Sequence, residues 1–256
     1  GKPAKTQKGV NMELTILGAG PGMPQLDKHL SSILIRNAEQ LILADCGDSC
    51  AHRLLEHKIE AEELDAIFIT HYHPDHIGGI FMILQMLYLQ NRKRDLLLFL
   101  PERLASFLEI LQLMYTYPQK FGFNLLIRDM EQAELYFDWI YAVPNDHLYR
   151  YASIINEHKL PNQMRSWSLC FSGKEGKFVY TSDIETTDCI LEILKEAHTV
   201  LVDAGHPEAE QIIKLKYAGI KKIILTHGIT PELENRKNEL NPDIFEFARE
   251  DVVYQI

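Results

Sequence analysis

Three histidines and an aspartate fall within six residues of "ITHYHPDHIGG", residues 69–79: His71, His73, Asp75 and His76, with Pro74 among them. The whole chain has 11 histidines in 256 residues, so chance does not account for three of them here. Imidazole and carboxylate groups packed this densely, just where the apolar run "AIFIT" stops, have little structural purpose and read as a ligand set for cations. His71 and His73 are two apart. If extended backbone continues to them, their side chains leave on the same side and grip one ion. Pro74 cannot continue a ladder, so the chain turns there and swings Asp75 and His76 toward a second ion. The "IGG" that follows permits close backbone packing before an apolar helix. Nitrogen and oxygen donors without sulfur suit zinc, with manganese or iron as alternatives. The competing reading is a set of solvated histidines beside a polar turn; it serves for a lone histidine and fails for four such groups within six residues.

The elements that must hold this cluster are legible as short apolar runs alternating with helical patterns. "ELTILG", "SILIR", "LILAD", "AIFIT", "LLLFLP" and "NLLIR" read as strands, with "NAEQ" as a hairpin connection. Residues 77–90 and 102–114 carry helical periodicity. In the second half "LYFDWIYAV", "WSLCFS", "KFVYTS", "TVLVDA" and "KKIILTH" read as strands, with helices over 188–197 and 208–218. No linker or repeat divides the halves, which predicts one α/β domain over residues 13–256. Residues 1–12 are expected to form a basic disordered tail or tag remnant outside the fold, with Met12 as the natural start. Polar groups sit where apolar runs end, at Asp45, His71, Asp183 and His227. The carboxyl ends of strands in α/β sheets form the crevice where ligands bind, so these ends are expected to converge.

Composition narrows the setting. Hydrophobic residues at 46% and charged residues at 24% are ordinary for a globular chain, and no apolar stretch is long enough to cross a bilayer, so a soluble protein with no membrane partner is expected. Cys46, Cys50, Cys170 and Cys189 are too scattered for a disulfide framework, which points to a reducing cytoplasm. The net charge of −10 offers no general attraction for a phosphate backbone. "NRKRD" at residues 91–95 is the one dense basic run and reads as a solvated helix end.

"HYHPDH" resembles the HxHxDH signature of the metallo-β-lactamase superfamily, and further motifs of that superfamily follow in order over nearly the whole chain. "ADCGDS" is similar to the first motif, "VPNDH" to the third, "YTSD" to the fourth and "ILTHG" to the fifth. The resemblance implies an αβ/βα four-layer sandwich. It also implies that His71, His73 and His147 ligate one divalent metal and Asp75, His76 and His227 the other, with Asp183 bridging and Asp45 orienting a ligand. The reaction so implied is hydrolysis by activated water, with Asp75 also in the catalytic set.

Within the superfamily, "LGAGPGMPQLDKHLSSILI" is similar to the glycine-rich start of the ribonuclease Z branch, and "LVDAGHPEAEQ" to the segment that carries that branch's catalytic histidine, here His206. A solvent-facing histidine at a helix N-terminus is the alternative for His206. Gly18, Gly20 and Gly22 offer either backbone N–H groups to an anion or plain turn geometry. The transfer-RNA enzymes of the branch carry a long arm, and the short interval between His147 and Asp183 leaves no room for one. A phosphodiesterase acting on a small phosphodiester, or less readily on RNA, is therefore expected, with residues 148–165 as a lid or a surface loop and a homo-oligomer as an open expectation. A carboxyl-ester, thioester or lactone hydrolase and a catalytically silent binding subunit are the other readings.

Overall fold

Alternation of apolar side chains sorts each strand onto two faces, and both faces are covered. The computed structural model describes residues 11–256. A first sheet joins β1 (Met12–Gly18), β2 (Ser32–Asn37), β3 (Gln40–Ala44), β4 (Leu64–Phe68), β5 (Leu96–Leu100) and β6 (Leu125–Asp129) in that order, with β13 (Val253–Gln255) beside β1. A second sheet runs β7 (Ile140–Pro144), β8 (Trp167–Ser172), β9 (Lys177–Tyr180), β10 (Ala197–Asp203), β11 (Lys222–Thr226) and β12 (Phe245–Phe247). Each sheet is antiparallel at one end and parallel at the other: β3 to β6 pair in parallel, and so do β9 to β12.

Period-two sorting builds the layers. Ile33, Ile35, Ile42 and Ala44 face a central cluster together with Leu169, Phe171, Leu201 and Ile224 of the second sheet, so the two sheets pack face to face. Leu34, Leu41 and Leu43 face outward, under α1 (Cys50–Glu56), α3 (Ile80–Leu89) and α4 (Leu104–Leu113), where Leu54, Ile83, Leu84 and Leu111 cover them. On the other side Val200, Val202, Ile223 and Leu225 pack under α7 (Leu191–Leu194), α8 (Ala209–Lys214) and α9 (Pro231–Asn235). Helix, sheet, sheet, helix is the four-layer order expected from the motifs. The remaining helices are α2 (Pro74–Ile77), α5 (Ala133–Tyr136) and α6 (Ala152–His158).

Several sequence expectations need correction. Residues 135–143 are not one strand: α5 ends at Tyr136 with Leu135 and Tyr136 exposed, and β7 begins only at Ile140. The apolar run misled because its first part faces outward. The helix expected over 188–197 is a 3-10 turn (Asp188–Ile190) followed by the four-residue α7, and the one expected over 208–218 ends in a 3-10 turn at Leu215–Tyr217. Met12, placed in the tail, opens β1 fully buried and pairs with Asn37; residues 1–10 lie outside the described residues. The "NRKRD" run is not simply solvated. Arg92 is fully buried and donates to the carbonyls of Leu64 and Asp95 at 2.6 and 2.8 Å and also to that of Ala61, tying the end of α3 to the start of β4. No helix among the described residues is long and apolar enough to cross a membrane.

Candidate metal centre

The carboxyl ends of β3, β4, β7, β9, β10 and β11 converge between the two sheets. β7 and β9 both run antiparallel to β8, so they share a direction with β10 and β11 and deliver their ends to one edge. Asp45 follows β3, His71 and His73 follow β4, and Asp75 and His76 lie on α2. His147 follows β7, Asp183 follows β9, His206 follows β10 and His227 follows β11. Three of these ends leave the strand through left-handed backbone at non-glycine residues, Asp45 at φ 57°, Ser182 at 53° and His227 at 62°. Such conformations are uncommon and gather where a site dictates side-chain direction.

Two groups of donor atoms meet at Asp183. In the first, His73 Nδ1 lies 3.1 Å from His71 Nε2 and 3.1 Å from His147 Nε2, while Asp183 Oδ2 stands 3.8 and 3.6 Å from the latter two nitrogens. Ligands about 2.0–2.1 Å from one tetrahedral cation lie roughly 3.3 Å from each other, so these spacings fit one ion. In the second, His76 Nε2 is 3.2 Å from Asp183 Oδ1 and 3.6 Å from Asp75 Oδ2, and His227 Nε2 is 3.2 Å from Asp183 Oδ2 and 3.7 Å from Asp75 Oδ2. His76 Nε2 and Asp183 Oδ1 are buried without a hydrogen-bond partner among the described residues. A buried polar atom left unpaired is costly, and two facing each other are what a cation between them would satisfy.

The outer nitrogens of three of the imidazoles are held in turn, while His147 Nδ1 is buried without a partner among the described residues. Asp45, fully buried, accepts from His76 Nδ1 at 2.8 Å, and its carboxylate also receives the Thr70 N–H and hydroxyl at 2.8 and 2.9 Å and the Tyr180 hydroxyl at 2.8 Å. His71 Nδ1 is 3.1 Å from Thr70 Oγ1, and His227 Nδ1 is 3.1 Å from Ser31 Oγ. With one nitrogen so engaged, the other is turned inward. Close backbone packing sets the cluster's position: Cys46 N–H donates to the His76 carbonyl, Gly79 N–H to the Cys46 carbonyl, and a Cβ on Gly79 would meet the Gly47 carbonyl oxygen at 2.3 Å. The glycine-rich start reaches the site at Gly22, where a Cβ would lie 3.0 Å from Asp75 Oδ2. Gly18 and Gly20 instead pack against the backbone of His29 and Leu30.

Electrostatics separates the groups. Burial holds His71, His73 and His147 below the ordinary imidazole value, His147 at about 3, which favours the neutral, ligating form. Burial pushes His76 the same way, but Asp183 and Asp45 outweigh it and hold it above the ordinary value. Burial also opposes the charge on Asp183, yet the surrounding imidazoles, His76 and His227 foremost, hold it well below the usual carboxylate range.

His206 is half-buried beside both groups, its ring stacked on His227 at 5.2 Å and edge-on to His147 at 4.9 Å between centroids, its Nδ1 donating to Asp203 Oδ2 at 2.9 Å and lying 3.9 Å from Asp183 Oδ2. Burial lowers its proton affinity and the Asp203 bond more than restores it, leaving His206 above the ordinary value. Sequence reasoning passed over Asp203, although an aspartate three residues before a histidine at a strand end is itself a signal. It also passed over Ser31 and Thr70, hydroxyls with no distinguishing spacing. His158, the other histidine near the third motif, lies exposed on α6, whereas His147 is buried among the ligand candidates.

Residues 148–165 are neither a plain loop nor an arm. They form a 3-10 turn (His147–Tyr151) and α6, which wall a cavity of about 230 Å³ opening on His73, and the Tyr151 ring packs edge-on to His73 with centroids 5.6 Å apart. Elsewhere in this segment Tyr149 and Asn156 are exposed, and Arg165 pairs with Asp129 and stacks over Trp167.

Fold and relatives together define a metal-dependent hydrolase of the metallo-β-lactamase superfamily, of ribonuclease Z type. The curated Ribonuclease Z of Archaeoglobus fulgidus is 26% identical over 267 aligned positions that cover 84% of this chain and 86% of that one. Among solved structures, the metallo-β-lactamase fold protein YhfI from Bacillus subtilis superposes with a TM-score of 0.74 at 19% identity, covering 96% of this chain and 100% of that one. The short form of human tRNase Z gives 0.72 at 19% identity, covering 95% and 99%. More narrowly, the model of the family described as "Anti-Pycsar protein Apyc1" matches residues 12–239, and the chain belongs to that family.

Proposed function

We propose that this protein is a dinuclear zinc phosphodiesterase that hydrolyses a small phosphodiester. His71, His73 and His147 would hold one cation and Asp75, His76 and His227 the other, with Asp183 between them. The observation that carries the reading is the place of Asp183, whose two carboxylate oxygens lie within 3.2–3.8 Å of imidazole nitrogens from both groups. Imidazole and carboxylate donors without thiolate favour zinc. When bound, such a pair supplies Lewis acidity and a water of near-neutral pKa.

The chain's own residues do the rest. Asp45 and Ser31 hold His76 and His227 in orientation through their Nδ1 atoms. Asp75, at the mouth of the site, takes the proton of the attacking water. As the new P–O bond forms and the ester P–O bond breaks, His206 gives its proton to the departing alkoxide, and Asp203 stabilises the imidazolium before that transfer and orients the ring. Size selection falls to the wall built by α6, which borders a space of about 230 Å³ beside His73, room for a small substrate. The net charge of −10 also favours a small substrate over a polyanion.

Two measurements test this. Metal-replete protein is expected to carry two zinc ions per chain by elemental analysis and to turn over bis(4-nitrophenyl) phosphate ahead of thioester and lactone substrates. Asp183→Asn is expected to lose at least one ion and most of that turnover. Unchanged metal content in the variant, or a preference for thioesters or lactones, would sink the proposal.

A further inference from the structure

Glu250 stands on the short crossing between β12 and β13, where the chain passes from one sheet to the other. The Ala248 N–H donates to the Leu225 carbonyl of β11 at 2.8 Å, and the Asp251 N–H to the Ile16 carbonyl of β1 at 3.0 Å. From this crossing the Glu250 side chain, 11% exposed, reaches residues 231 and 221 positions earlier. Its Oε1 accepts the Ala19 N–H at 3.1 Å and the His29 N–H at 3.0 Å, and its Oε2 accepts from His29 Nδ1 at 2.7 Å. With the Gly20 N–H donating to the His29 carbonyl at 2.8 Å, these bonds close the neck of the loop that joins β1 to β2. Residues 22–27 beyond the neck are exposed, so the neck is what fixes the path of the loop.

Both arms of that neck hold His227. On one arm the Ala19 carbonyl accepts the His227 N–H at 3.1 Å; on the other, Ser31 Oγ lies 3.1 Å from His227 Nδ1. Just past the neck Pro21 packs on Gly228, where a Cβ would lie 2.9 Å from Pro21 Cβ, and Gly22 lies against Asp75. His227 and Asp75 belong to the same donor group, and none of these bonds runs to His71, His73 or His147 of the other. We propose that Glu250 is a positioning residue for the group of Asp75, His76 and His227: by joining both arms of the neck at one carboxylate it sets where His227 and Asp75 present their donor atoms. Hydrogen bonds to a carboxylate are the stronger kind, and three on one side chain leave the arms little freedom to part. The proposal rests on the dinuclear reading for the ion but not for the loop. Groups that orient a metal ligand are typically worth about 10–100-fold in affinity, so loss of Glu250 is expected to weaken one of the two ions by about that factor and leave the other unchanged.

The test titrates zinc into the chelator-treated full chain against a chromophoric competitor, for wild type, Glu250→Ala and Glu250→Gln, and reads amide hydrogen exchange of the same proteins without metal. Glu250→Ala is expected to bind one ion like wild type and the other about 10–100-fold more weakly. Its amides over residues 19–31 and at His227 are expected to exchange faster while the rest of the chain is unchanged. Glu250→Gln keeps an Oε1 that accepts both N–H groups and is expected to restore both readings. Equal weakening of both ions in Glu250→Ala, or faster exchange throughout the chain, overturns the proposal, because either is the mark of a general structural role. Unchanged affinities and exchange overturn it as well. So does a Gln variant as weak as the Ala variant, which would assign the effect to charge rather than to the neck. If Glu250→Ala does not fold, Glu250→Asp, which draws the acceptors back by one methylene, is read in its place with the same expectations. A wild type that binds a single ion counts against the dinuclear reading alone, since exchange without metal still decides whether Glu250 fixes the loop and His227.

Discussion

At the scale of single residues, the unequal surroundings of the site histidines divide their work. His71, His76 and His227 are buried and engaged through their Nδ1 atoms, whereas His206 is half-buried and holds its proton more firmly because Asp203 sits 2.9 Å from Nδ1. A proton so held is useful to a leaving group that needs one. His206→Ala is expected to keep its metal while losing about 10²–10⁴ in turnover of an alkyl phosphodiester and far less of a 4-nitrophenyl ester, whose phenolate departs without help. Equal losses on the two, measured side by side, would move His206 to a binding role. Metal loss on this substitution would instead put it among the ligands. The ligand candidates themselves were legible because their chemistry demands rare residue types at strand ends. Asp203, Ser31 and Thr70 were not, since a hydroxyl or carboxylate that holds an imidazole is chosen by position in space and leaves no periodic trace. Arg92 was misread for a related reason: a basic run says nothing of which guanidinium finds four carbonyls to bury against.

At the scale of elements, β4 is the strand on which the site depends most, because it ends two residues before Thr70 and three before His71. Its anchor is Phe68, fully buried, stacked on Phe99 of β5 at 4.4 Å between centroids and 15° between planes, with Phe137 at 6.0 Å. Phe68→Ala is expected to cost about 3–5 kcal/mol of stability, read from the shift in urea midpoint at constant slope. A loss under about 1 kcal/mol would mean that the two sheets close the cavity by repacking. Strands such as β2 and β3 were legible from their two-residue alternation, which the two sheet faces obey side chain by side chain. The four-residue α2 and α5 and the 3-10 turns were not. Segments this short complete barely one turn, so no period can establish itself, and packing decides their form. α6 escaped notice because it is exposed on most sides and has no core stripe to give it a helical period.

At the scale of the whole molecule, the candidate centre lies on the seam between the two sheets. The first sheet and its connections bring His71, His73, Asp75 and His76; the second brings His147, Asp183 and His227. Both donor groups draw on both sheets, so neither exists in a chain whose sheets have separated. A cation bound there stabilises only the assembled form, by RT ln(1 + [L]/Kd), or about 4 kcal/mol at a thousandfold excess over Kd. For a chain of this size about 1 kcal/mol moves the melting midpoint by roughly 2–4 °C, so saturating zinc is expected to raise it by on the order of 10 °C over chelator-treated protein. Asp45→Asn should shrink that rise, because the amide orients His76 less well and such supporting groups are typically worth about 10–100-fold in metal affinity. Calorimetric scans of both proteins, with and without zinc, read the effect directly. An identical midpoint for wild type in zinc and in chelator would show that the seam is not where the cation binds, whatever the activity.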